Sequence, residues 1–218
     1  ALPLVALQYH DVELRITWSS QLDLTTNPES VVCWTRFIYL DKDERDFFAK
    51  KSHDILITQV NRVAISPTST YEFALSQPVK FIAFESNNYT SAYGASQTPA
   101  TGTNLLQFKM QINGNDIGES RSLFSWSDVN QYYLTPFGYK PFTGSTVTAI
   151  VPFCLDTSKI QPTGTLNFSR IDTFRLITPN TSGFNLIAKG PSAGRYFYAV
   201  NYNILRIQNG MAGILYAS

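Results

Sequence analysis

Polar and apolar positions alternate along much of this chain, and the alternation predicts strands. From Asp11 it is strict: Val12, Leu14, Ile16 and Trp18 fall on one side, with Asp11, Glu13, Arg15 and Thr17 on the other. A period of two is the mark of a half-buried β-strand. A strand so near Ala1, with neither an initiator Met nor a signal-peptide pattern before it, suggests that chain once preceded it. Residues 31–40 (VVCWTRFIYL) are β-branched and aromatic, and predict a buried strand. Residues 54–60, 69–76 and 79–85 alternate in turn. The segment 106–118 alternates through Phe108, Met110 and Ile112 into Asn113-Gly114, a strong hairpin signal. Apolar strands are further predicted over 145–156, 164–178 and 195–207. In the last of these the apolar parity switches between Ile204 and Leu205, which a bulge or burial on both faces would explain.

Only two segments have helical character. Residues 41–51 offer Asp41 as N-cap and Glu44 at the capping-box position, with acids leading and Lys50 and Lys51 closing, as the helix dipole prefers. Residues 125–133 carry the weaker Ser125…Asp128 pairing. The small, polar stretch 86–104 reads as a long exposed loop. Eight or nine strands, two short helices and long loops predict an all-β fold: an eight-stranded jelly-roll sandwich in a single domain over 1–218.

Composition narrows the function. A chain of 218 residues buries roughly 70% of the surface it exposes unfolded and completes a core without metal or disulfide. A net charge of +1 gives no chain-wide field for nucleic acid or an anionic membrane, so no direct nucleic-acid binding is expected. No apolar run reaches transmembrane-helix length. Charged residues make up 15% of the chain, against about 25% in an ordinary soluble domain. A surface so poor in charge suits a protein covered by neighbours. Cys33 and Cys154 both lie in apolar strand-like runs and read as buried free thiols; a disulfide would need neighbouring strands and an oxidising compartment.

Candidate chemistry is sparse. Residues 190–194 (GPSAG) match the G-x-S-x-G nucleophile elbow, which needs Ser192 on a strand-to-helix turn and its acid and histidine later in the chain. Here a strand follows, and His10 and His53 both precede it. No catalytic residue is expected. The histidines and cysteines share no metal-ligand spacing, and residues 113–119 carry too few oxygen donors for a calcium loop; neither metal nor cofactor is expected. Residues 50–53 (KKSH) read as a helix end rather than a phosphate grip. Three sequons begin at Asn88, Asn167 and Asn180. Asn88, in the polar loop, is the strongest glycosylation candidate and Asn180 stands at a turn, whereas Asn167, inside a predicted strand, is better explained structurally. The aromatic residues (15 Phe, 12 Tyr and 3 Trp) fall mostly at alternating strand positions, where core packing explains them before sugar binding does.

Four segments together are more specific: 1–14 (ALPLVALQYHDVEL), 37–57 (FIYLDKDERDFFAKKSHDILI), 161–176 (QPTGTLNFSRIDTFRL) and 201–218 (NYNILRIQNGMAGILYAS). In this order they resemble the C-terminal half of the major capsid protein of large eukaryotic double-stranded DNA viruses, the group of phycodnaviruses, iridoviruses and, more distantly, African swine fever virus. Residues 86–160 match only loosely. That family's protein is a double jelly roll, three copies of which form a pseudo-hexagonal capsomer. The resemblance implies that this chain is the second roll, with residues 1–7 crossing from the first. The implied partners are the N-terminal roll, two further copies in a homotrimer, neighbouring capsomers and minor capsid proteins. The implied place is the virion shell, assembled in the host cytoplasm, with residues 86–104 and 119–144 at the outer face or against neighbours. A carbohydrate-binding jelly roll is the alternative reading, and an enzyme the third.

Overall fold

The computed structural model describes residues 1–17, 32–64, 68–86, 107–123, 125–135, 147–179, 188–189 and 194–216. In chain order the elements are α1 (Lys42–Lys50), β1 (His53–Ala64), β2 (Thr70–Glu72), β3 (Pro78–Ser86), β4 (Gln107–Ile112), β5 (Asn115–Ser122), a π-helical turn (Ser125–Val129), α2 (Asn130–Leu134), β6 (Val147–Pro152), β7 (Leu166–Asn167), β8 (Phe174–Ile177), β9 (Ala188–Lys189), β10 (Gly194–Gln208) and β11 (Met211–Ile214). Short 3-10 turns cover Leu4–Ala6 and Phe168–Arg170. The fold is all-β. Of the eleven described strands β2, β7 and β9 have three residues or fewer, leaving eight longer ones.

The strands form two sheets. One runs β1-β10-β3-β6, with β11 and β9 paired to β10 and β7 to β3; the other runs β2-β8-β4-β5. Every printed pairing is antiparallel. The chain divides into two compact units, Ala1–Ile57 with Asn203–Ala217, and Thr58–Tyr202 with Ser218.

The second unit holds the sandwich core. Val79, Ile82 and Phe84 of β3, Ala149 and Val151 of β6, and Phe197 and Ala199 of β10 come from one sheet. Phe108 of β4, with Phe174 and Leu176 of β8, comes from the other, and Phe73, just after β2, joins them. The inward positions alternate along each strand, as the pleat requires. Aromatic rings bridge the layers: Phe84 lies 5.5 Å from Phe108 and Phe73 lies 4.9 Å from Phe197, centroid to centroid. The sequence aromatics are therefore largely core, as expected.

The first unit has a smaller core of Ala6, Leu7 and Ile207, with Ile55, Leu205 and Ala212 packed on it. Here α1 begins as the capping box predicts, the Asp41 amide donating to Glu44 Oε2 at 3.1 Å. The residues 50–53 are a helix end, with Lys51 Nζ 4.2 Å above the Phe47 ring.

The hairpin at Asn113-Gly114 is present, with φ of +47° and +82° at the two turn residues. That pair of left-handed conformations is a type I′ turn, whose twist matches the flanking strands. It accounts for 113–119 without an ion. In β10 the pairing with β3 shifts between Val200 and Asn201, and Asn201, Tyr202 and Asn203 are all buried. Bulge and two-faced burial both occur, a few residues before the parity switch.

Several predicted strands are shorter or absent. Residues 11–17 and 32–40 form no strand and are exposed almost throughout, and Cys33 is exposed rather than buried. Alternation supplies a face but no ladder, and no described strand pairs with either segment. Trp18 and Val31 lie outside the described residues. The strand expected over 164–178 is broken: β7 ends at Asn167, a 3-10 turn intervenes, and β8 begins at Phe174. The Asn167 side chain causes the break by accepting the Ser169 amide, a local bond that competes with the ladder. The strand over 69–76 pairs only through Thr70–Glu72, and that over 145–156 ends at Pro152.

Candidate functional site

The groups able to do chemistry are occupied with structure. His10 Nδ1 accepts the Ala212 amide at 3.1 Å, which fixes its lone pair on the backbone. His53 Nε2 lies 2.7 Å from the Phe48 carbonyl and donates to it, its ring stacked on Phe48 at 5.3 Å. Among the described residues no group of three or more His, Cys, Asp or Glu side chains could hold a metal ion. The described cysteines are both free. Burial pushes the Cys154 thiol above its ordinary pKa, the opposite of what a nucleophilic or metal-binding cysteine needs.

Acids are paired across neighbouring strands. Arg206 of β10 grips Asp54 of β1 through two bonds of 2.8 Å, Arg175 of β8 meets Glu72 of β2 at 2.8 Å, and Lys109 of β4 meets Asp116 of β5. The Arg206 hydrogen bond holds the Asp54 carboxyl below its usual pKa, and the Lys109 and Gln111 bonds do the same for Asp116. These are cross-strand stitches on exposed faces, each worth a fraction of a kcal/mol.

Of the candidate glycosylation sites, Asn88 and Asn180 lie outside the described residues. Asn167 is exposed at the end of β7, but its side chain accepts the Ser169 amide and Ser169 Oγ bonds the Ser76 carbonyl. Both ends of that sequon are committed to the turn. Ser192 also lies outside the described residues; the strand expected after it is β10, beginning at Gly194.

What the described surface does offer is apolar area. In the first unit Val12, Leu14, Ile16, Val32, Trp34, Phe37, Ile38 and Tyr39 are all at least half exposed. In the second, Tyr132 and Tyr133 of α2 and Leu155 and Ile160 of the following loop stand out into solvent. The loop was not legible in the sequence, where 145–156 read as one strand. Pro152 was the available signal for its start.

Comparison with known proteins gives this surface a context. The family described as "Large eukaryotic DNA virus major capsid protein" matches residues 44–213. The chain belongs to that family. It is similar to the major capsid protein of Pyramimonas orientalis virus, 28% identical, over the whole of this chain and 58% of that protein. The major capsid protein of Paramecium bursaria Chlorella virus 1 is 29% identical, again over the whole chain and over 63% of that protein. Among solved structures, a chain of the "PBCV-1 virus capsid, quasi-atomic model" superposes with a TM-score of 0.58 at 27% identity, covering 83% of this chain and 55% of that one. The chain thus spans about three-fifths of the length of the curated relatives it matches. The two antiparallel sheets and few short helices agree with the viral jelly-roll neighbours, as the resemblance of the four segments implied. No described helix is long and apolar enough to cross a membrane.

Proposed function

We propose that this chain is a structural block of an icosahedral virus shell, acting through shape and adhesion to its copies rather than through catalysis. The observation that carries this reading is the family match, which runs through both units of the fold. The physical features support it. A sandwich closed by a continuous aromatic core is stiff, and a stiff block with apolar surface left over suits assembly. On this reading the chain forms one jelly roll, residues 1–218, beside an N-terminal roll. Three such proteins make a pseudo-hexagonal capsomer, which meets neighbouring capsomers and minor capsid proteins. Asn88 and Asn180 are the sites we assign to glycosylation.

The carbohydrate-binding alternative draws on the exposed Trp34 and Tyr39, 91% and 92% open to solvent. Two experiments separate the readings. Proteomics of gradient-purified virions, stripped to their shell, is expected to find peptides of this chain among the most abundant components, and native mass spectrometry of the released shell protein to find trimers. A glycan array probed with the chain is expected to be blank. Saturable glycan binding with no chain in the shell would replace this reading by the alternative.

A further inference from the structure

The loop over 153–164 has no regular structure, yet it is tied down at every turn. Its neck is closed by Gly164, at φ +140°, where an added Cβ would stand 3.0 Å from the Phe153 carbonyl oxygen and 3.3 Å from the Cys154 Cα. Inside, the Asp156 amide donates to Thr163 Oγ1 at 3.0 Å, and the Asp156 carboxylate accepts the Ser158 amide and hydroxyl at 2.8 and 2.6 Å. Thr157 donates both its amide and its hydroxyl to the Leu134 carbonyl, fastening the loop to the end of α2. A loop of this length with adjacent ends and internal packing is an Ω-loop, a form frequently functional.

The centre of the loop is held by Lys80, which is only 4% exposed. Its Nζ donates to the Lys159 carbonyl at 2.9 Å and lies 5.5 Å from the Tyr202 ring centroid. Lys80 is the extra residue of the β3 bulge: Phe81 pairs with Val200 and Val79 with Asn201, leaving it unmatched. Bulges re-aim side chains. This one turns a lysine from strand β3 under the loop, a costly burial for a cation that forms no carboxylate pair. Such a device is unexplained if the loop is only a connection between strands.

What it holds out is apolar. Leu155 and Ile160 are 76% and 79% exposed, and Tyr132 and Tyr133 of the tethered helix 63% and 72%. Lys159 is paired within the loop to Asp156 at 3.8 Å, so the tip presents no unmatched charge. We infer that the Ω-loop 153–164, with the adjoining end of α2, is a contact by which one copy of this chain holds another. The inference rests on the shell reading above and deepens it by naming a surface. The four side chains leave on the order of 500 Å² open, where each side of a stable pairwise interface covers about 800 Å². An area of that size is too small for a solitary high-affinity partner. It suits a contact repeated between identical copies, weak singly and strong in number. Lys80 is a positioning residue here, since a loop already ordered loses less entropy on contact.

Sedimentation velocity of the chain over a concentration series tests the assignment. Leu155→Ser with Ile160→Ser is expected to weaken self-association by about tenfold or more, while Val60→Ser, an exposed apolar change on β1, leaves it unchanged. Lys80→Met is expected to speed amide exchange at 157–160, with exchange in β3 and β6 unaltered, and to weaken association less than the double change. Association of the double variant equal to the parent's overturns this surface and leaves the shell reading standing. So does normal self-association coupled with lost binding to another shell protein, which would make that protein the occupant. A parent chain that never associates overturns the surface and the shell reading together.

Discussion

At the residue scale, the two cysteines show how one sequence signal divides into two environments. Both sit in apolar, strand-like runs, yet Cys33 is exposed and Cys154 is 7% exposed beside the core. Thiol reactivity follows access and thiolate fraction. Cys33 is therefore expected to react with a maleimide or a chromogenic disulfide in the folded chain, and Cys154 only after denaturation; two thiols titrating at the same rate would contradict the burial. Phe197 is the other telling residue. Its ring meets Tyr71, Phe73 and Phe84 at 4.9–5.1 Å and has no exposed surface. Phe197→Ala is expected to lower the unfolding free energy by about 3–5 kcal/mol, measured by urea titration with an unchanged m-value. The alternation of 195–207 identified Phe197 as inward-facing, but not the three rings it would join.

At the scale of elements, local codes proved legible where they were self-sufficient. The Asp41/Glu44 capping box starts α1 and Asn113-Gly114 makes the hairpin, because each is satisfied by atoms a few residues away. Segments 11–17 and 32–40 show the opposite case. Their alternation is as clean as that of β1, but a strand exists only when another backbone accepts its hydrogen bonds. Residues 164–178 were misread for a third reason: the Asn167 side chain offers the chain a turn that apolar patterning does not reveal. The Ω-loop escaped for a fourth, since a bulge on β3 and a glycine packed against Phe153 belong to no local pattern. Of the candidate site, the sequence showed the absence of catalytic constellations but not Lys80, whose role depends on a loop 79 residues further on.

At the scale of the whole molecule, acid should act through the cross-strand pairs. Asp54, Asp116 and Asp156 have pKa values lowered from the usual 3.8, through Arg206, Lys109 and Ser158 respectively. A carboxylate whose folded pKa is depressed contributes stability that is fully present above its unfolded pKa and lost as pH falls through the folded one. Thermal unfolding is thus expected to change little from these groups down to about pH 4 and to move to lower temperature below it, less steeply in high salt because the pairs are exposed. A decline already complete above that pH would assign acid sensitivity to other groups. The sequence by itself determined the class of the fold, the hairpin, the capped helix, the inward-facing aromatics and the family, all of which follow from period, turn chemistry and residue order within short windows. Only the tertiary structure decided which alternating segments found a partner, which cysteine was covered, and how a bulge turns a lysine beneath a distant loop. Those outcomes depend on which backbone atoms meet across the sheet, a matter of three-dimensional pairing that no local pattern contains.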